Sequence, residues 1–327
     1  MPPRPPSRPS TNASSSAEAK PVAVGVVPRH EPAGARRRPR PPAHLAYLLP
    51  TFLFIAALSL LPVLYTVYLS FTNASLLYPT SQFVGLDNYG RLISGEVGRV
   101  VGNTFVFVAG SVVLQVGLGL ALALLLNLPV RGRVLMRTIV LATWIVPEVV
   151  AGFAWQLVFA GGNYGLANGV LSAFGLDPVV WLGDPNLAMA CLIFVNVWRG
   201  TAFSMVLQLA ALQTVPRDLL EAATVDGAGP LNRFRHVTLP IIAPVLLVNL
   251  INNTLGTFNV TALVFSLTNG GPARATEVLA LTMYNAAFGA YDLGFASAIA
   301  MLLFAINVAL VIVYLRLFRP AQVEAAA

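Results

Sequence analysis

Charge is scarce in this chain: only 10% of its 327 residues are Asp, Glu, Lys or Arg, against 57% hydrophobic residues. A soluble domain carries charge on about a quarter of its positions, so folding in water cannot hide this much apolar surface. Cysteine is almost absent as well. The single Cys191 excludes an intrachain disulfide and a thiolate metal cluster. The three histidines, His30, His44 and His236, are far apart in sequence, and no metal site is expected from them. Lysine occurs once, at Lys20, which leaves no Gly-rich turn followed by Lys and Ser or Thr and so no phosphate-cradling loop. Paired carboxylates, a histidine cluster and a Ser/His arrangement are also missing from the apolar segments, which argues against an intramembrane enzyme.

What is present is apolar sequence in long blocks. No charged residue interrupts Leu45 to Leu86, Val100 to Val130 or Leu293 to Leu315. A bilayer core about 30 Å thick is crossed by about 20 helical residues, so each block is long enough to span it. The pattern predicts an all-α membrane protein of six transmembrane helices: Leu45 to Phe71, Asn103 to Leu126, Leu135 to Phe159, Leu187 to Leu212, Ile241 to Leu267 and Leu293 to Leu315. Pro50, Pro62 and Pro147 should kink the first and third of these.

The net charge of +7 follows from topology and not from a nucleic-acid ligand, since the basic residues flank the apolar blocks. Eight of the twenty lie in the first forty residues. Arg131, Arg133 and Arg137, then Arg217, Arg233 and Arg235, then Arg316 and Arg319 fall in alternate loops and in the carboxyl tail. The other loops hold only Arg91, Arg99 and Arg274. Both termini are therefore expected on the cytoplasmic side. Residues 1–42, rich in Pro, Arg, Ser and Ala, read as a disordered cytoplasmic tail, 43–318 as the membrane domain, and 319–327 as a short cytoplasmic tail.

Two charges fall inside spans, Glu148 and Arg199. They either pair with each other or line water, and Arg199 is alternatively a contact for an anionic solute. The fifth span is rich in amides and hydroxyls. Asn249, Asn253, Gly256, Thr257 and Val260 share one helical face, which would suit the hydroxyl groups of a sugar along a substrate path. The alternative is interhelical hydrogen bonding that merely holds spans together.

The longest cytoplasmic loop, 214–240, reads TVPRDLLEAATVDGAGPLNRFRHVTLP. Pro216 opens a helix, Asp218 and Glu221 place negative charge near its positive end, and Gly227 can end it in the left-handed conformation. A second short segment, Leu231 to Val237, should be broken by Leu239 and Pro240 before the fifth span. Such a surface suits docking by another protein or rest on lipid headgroups.

Glu221-Ala222-Ala223, Gly227, Val237 and Leu239-Pro240, at these spacings, resemble the EAA loop of binding-protein-dependent ABC importer permeases; Val237 stands where isoleucine is usual. The run LLPTFLFIAALSLLPVLYTVYLSFTN with FVGLDNY, and later Thr268-Asn269-Gly270-Gly271-Pro272, are similar to the first permease subunit of sugar importers of the maltose, trehalose and glycerol-phosphate type. The six-helix trehalose or glycerol-phosphate form is the nearer likeness, because the maltose-type subunit has an extra amino-terminal portion and a large outer domain.

The resemblance implies the type I ABC importer permease fold in a bacterial cytoplasmic (inner) membrane. It further implies a second permease subunit, two ATPase subunits that bind ATP and Mg, and an extracytoplasmic solute-binding protein, with no cofactor in this chain. Glu221, Ala222, Ala223, Asp226, Gly227, Leu239 and Pro240 would form the coupling contact with the ATPase. The competing readings are a permease for a non-sugar solute and a proton-coupled transporter using Glu148.

Overall fold

A computed structural model describes residues 44–94 and 97–324. The tail read as 1–42 and the last residues of the carboxyl tail lie outside them. In chain order the helices are α1 (His44–Ser70), α2 (Asp87–Ser94), α3 (Val97–Asn127), α4 (Arg133–Ile145), α5 (Glu148–Val158), α6 (Leu166–Ala173), α7 (Pro185–Gln213), α8 (Arg217–Val225), α9 (Pro230–Arg233), α10 (Leu239–Phe258), α11 (Ala262–Leu267), α12 (Leu279–Tyr284) and α13 (Leu293–Glu324). Among the described residues there is no strand, only two isolated bridges, Thr72 with Phe83 and Ser75 with Asp292. Five helices are long and apolar enough to cross a membrane, and the bent pair α4 and α5 makes a sixth.

The chain divides at Ile55/Ala56, and the described residues before that point are the leading turns of α1. Beyond it, α1 keeps Leu58, Leu61, Leu64 and Tyr68 more than half exposed. Its carboxyl end is tied down by polar contacts. Asn88 donates to the carbonyls of Ser70 and Thr72 at 3.0 and 2.8 Å, and the Ser70 and Tyr89 hydroxyls meet at 2.7 Å.

The core forms where α3 and α7 run together and α10 and α13 pack beside them. Phe107, Leu192, Val195, Leu263, Leu279 and Ile299 are fully or almost fully buried in it. A second cluster, with Leu126, Met205, Leu212 and Ile242, continues the same packing along those helices.

Three expectations are corrected. The third span is not one kinked helix: α4 and α5 meet at 101°. Val146 takes extended geometry (φ −65°, ψ 125°) because the ring of Pro147 disfavours a helical residue before it, and the helix restarts at Glu148.

The fifth span does not run unbroken to Leu267. It ends at Phe258, where the Asn259 side chain donates to the Leu255 carbonyl at 2.7 Å, and α11 begins at Ala262. Short polar side chains that bond local backbone compete with helix continuation in this way.

Leu239 and Pro240 do not break the loop from the fifth span. Helix runs from Pro230 through Phe258, with a π turn at Phe234–Thr238 in which the Leu239 N–H reaches the Phe234 carbonyl. Pro240 has no N–H to offer the carbonyl four residues earlier, and the widened turn absorbs the missing bond without ending the helix.

Candidate functional site

The break at Pro147 places the amino end of α5 beside the middle of α7. There the Arg199 guanidinium donates from Nη1 to Glu148 Oε1 at 2.9 Å and from Nε to the Val146 carbonyl at 3.2 Å. One cation thus satisfies the carbonyl left open at the end of α4 and the carboxylate that opens α5. Both side chains keep about a quarter of their surface exposed, because they form part of the wall of a cavity of about 240 Å³.

The remaining wall comes from α3, α4, α7 and α10 with the turn that follows it. Gln115, Asn196, Asn252, Asn253 and Thr257 supply amides and a hydroxyl; Gly200, Gly256 and Val260 supply small or apolar surface; Trp144 and Phe203 stand 5.9 Å apart, ring centre to ring centre. The Gln115 side chain donates to the Asn196 carbonyl at 2.9 Å. It has room because residue 200 is glycine: a Cβ there would lie 2.4 Å from Gln115 Nε2. Asn196 is buried, and its own amide nitrogen has no hydrogen-bond partner.

The polar stripe of the fifth span separates into two roles. Asn253, Gly256, Thr257 and Val260 line the cavity, Val260 from the turn after α10 rather than from the helix. Asn249 does not line it. That residue is fully buried and bonded between helices: Ser204 donates to its Oδ1 at 3.3 Å and Asn253 at 2.8 Å. Asn253 also donates to Ser204 at 2.9 Å, so its nitrogen binds α7 while its residue faces the cavity. Gln115, Trp144, Asn196, Gly200 and Phe203 are not among the residues that the sequence points to, and Asn252 belongs to the amide-rich fifth span but not to its expected face. An isolated Gln or Asn in an apolar block carries a signal only as a polar residue inside a span.

The second assembly is the loop after α7. Helix α8 ends in a Schellman arrangement: Gly227 N–H bonds the Thr224 carbonyl at 3.1 Å and Ala228 N–H the Ala223 carbonyl at 2.9 Å. Gly227 sits at φ +80°, the left-handed region that glycine enters without strain. Arg233 donates to the Thr224 hydroxyl at 2.5 Å and ties α9 back onto α8. Glu221, Ala222, Asp226 and Gly227 are exposed and Ala223 half-buried, while Val225 is 88% and Leu231 76% exposed. Leu239 and Pro240 lie half-buried at the start of α10, away from this tip in sequence. Among the described residues no group of three His, Cys, Asp or Glu side chains could hold a metal ion.

Residues 115–321 match the family described as the binding-protein-dependent transport system inner membrane component. The chain belongs to that family. All the cavity-lining residues and the whole of the 214–240 loop lie within the matched span.

Relatives agree over most of the chain. It is 39% identical over 282 residues to the trehalose/maltose transport system permease protein MalF of Thermococcus litoralis, covering 85% of this chain and 94% of that one. It is 35% identical over 276 residues to the sulfoquinovosyl glycerol transport system permease protein SmoG of Agrobacterium fabrum, covering 83% and 89%. Among solved structures, a bacterial alginate ABC transporter in complex with alginate pentasaccharide-bound periplasmic protein contains a chain that superposes with a TM-score of 0.73 at 22% identity. That match covers 85% of this chain and 94% of the other, and it shows the shared importer-permease fold.

Proposed function

We propose that this chain is the transmembrane subunit of an ATP-binding cassette importer for a carbohydrate, forming half of its translocation path. The observation that carries the reading is the combination of a polar, amide-lined cavity among the spans with an exposed, rigidly capped helix at the 214–240 loop. The first offers donors and acceptors to a polyhydroxylated solute where hydrocarbon would offer none. The second offers a fixed surface to a protein partner. Relatives named for trehalose/maltose and sulfoquinovosyl glycerol transport support a sugar-like cargo.

In this reading the chain carries no catalysis. A separate pair of ATPase subunits binds ATP and Mg and hydrolyses the nucleotide, and the loop carrying Glu221, Ala222, Ala223, Asp226 and Gly227 docks on one of them. Closure of the ATPases moves α8 as a unit with α9, because Arg233 donates to the Thr224 hydroxyl across the turn between them. That motion reaches α10 directly, since helix continues from Pro230 to Phe258 and delivers it to Asn253, Gly256 and Thr257. Alternating access follows if the two ends of the cavity open in turn.

A second permease subunit supplies the other half of the path. An extracytoplasmic solute-binding protein delivers the cargo, as in the alginate transporter complex whose fold this chain shares. The arginine distribution supports termini on the cytoplasmic side, and membership of the family supports a bacterial cytoplasmic (inner) membrane and its lipid bilayer as the setting. The experiment is ATP-dependent uptake in proteoliposomes containing the full importer. Loss of uptake in Glu221→Lys with unchanged membrane insertion is expected; normal uptake by that variant contradicts the coupling role.

A further inference from the structure

The cavity wall contains one cation and one anion, Arg199 and Glu148, and they face each other at 2.9 Å. Its formal charge is therefore zero. Apart from the Trp144 indole, every other polar side chain in the lining is an amide or a hydroxyl. Asn252 and Thr257 bring an amide and a hydroxyl to the wall, and the Asn196 amide nitrogen is buried behind it without a partner. Trp144 and Phe203 add apolar ring surface of the kind that covers the C–H face of a sugar ring.

We propose that Glu148 is a specificity-determining residue: by holding Arg199 in a neutral pair it makes this cavity a site for uncharged polyhydroxylated solutes and excludes their phosphorylated, sulfonated or carboxylated counterparts. The inference rests on the cavity being the solute path. An anionic solute entering it must either displace the Glu148 carboxylate from Arg199 or lie beside that carboxylate in a poorly screened space. Either course is costly, since like charges brought together at a half-buried site repel more strongly than in open water. Displacement carries a second cost, because the same guanidinium also holds the Val146 carbonyl at the 101° break. An uncharged sugar meets neither penalty. Selectivity of this kind comes from a built repulsion and needs no additional attractive contact to the preferred solute.

The test uses the whole importer, assembled with its partner subunits in nanodiscs and without the solute-binding protein, so that the path alone discriminates. Binding is measured for two matched pairs: trehalose against trehalose 6-phosphate, and glucosylglycerol against sulfoquinovosyl glycerol. The wild-type complex should take the uncharged member of a pair at least about tenfold more tightly than the anion. Glu148→Gln, which keeps an oxygen for Arg199 but removes the charge, should close or reverse that gap, and Glu148→Gln with Arg199→Gln should lose the gained anion binding. Equal binding of both members by wild type, or an unchanged preference in Glu148→Gln, overturns the proposal. Should Glu148→Gln fail to assemble, Glu148→Asp loosens the pair by one methylene and should narrow the ratio; a ratio equal to wild type overturns it. Failure of the path reading looks different: uncharged-sugar binding undiminished by Asn253→Ala with Gly256→Phe, or absent for all four probes, removes the solute from this cavity altogether.

Discussion

Arg199 and Glu148 lie 51 positions apart in sequence and meet at 2.9 Å, and the same arginine holds the Val146 carbonyl on the other side of the helix break. The pair is therefore part of the fold as well as of the cavity wall. Arg199→Leu leaves a carboxylate and a carbonyl without their donor, and the expected loss is about 1–3 kcal/mol. Glu148→Gln with Arg199→Leu should recover part of it. Thermal unfolding of the assembled complex in detergent, read as a double-mutant cycle, checks this; additive losses would show that the two residues are not coupled.

Gly152 sets the distance between α5 and α11. A Cβ at that position would lie 1.8 Å from Ser266 Oγ and 2.8 Å from Ser266 Cβ. Gly152→Ala should destabilise the protein by about 1–3 kcal/mol through overpacking. Removing the opposing atoms with Ser266→Gly should restore most of the loss, and a melting-temperature series on the two single variants and the double variant measures both steps.

Gly227 behaves differently, since nothing lies within 4 Å of a Cβ built there and only its φ of +80° resists substitution. Gly227→Ala should cost about 1–2 kcal/mol of local order without a clash. Gly227→Asp adds a third acidic side chain beside Glu221 and Asp226 and should abolish coupling. The readout is solute-stimulated ATP hydrolysis at equal membrane expression: low for Gly227→Asp, intermediate for Gly227→Ala.

The membrane class was legible from charge scarcity and block length, because a span is a local property of about 20 residues. The capped helix of the 214–240 loop was legible for the same reason: Pro216, Gly227 and their spacing determine it without long-range contacts. The breaks were harder to place. Pro147 announced a kink, but whether a proline bends or divides a helix depends on which partners take the freed carbonyl, here Arg199 from a distant helix. Pro240 departs from expectation in the opposite sense, since a π turn absorbs it without ending the helix. The polar stripe gave four of the cavity residues, yet Asn249 turned inward to Ser204. Gln115 and Asn196 emerged only from the packing of α3 against α7, which no single span encodes.

Asn253 faces the cavity while its nitrogen bonds Ser204 and Asn249. Asn253→Ala should reduce uptake several-fold with little loss of protein, the change expected from about 1 kcal/mol of lost hydrogen bonding. Uptake kinetics at matched expression decide it, and unchanged KM and maximal rate would place the solute elsewhere.

The most direct test of an ATP-driven path coupled through 214–240 is uptake of a labelled sugar into proteoliposomes holding the full importer and its solute-binding protein. Uptake that requires ATP inside the coupled compartment, stops with vanadate and vanishes in Glu221→Lys is the predicted result. Uptake driven by a proton gradient without ATP, and lost in Glu148→Gln but not in Glu221→Lys, would contradict it.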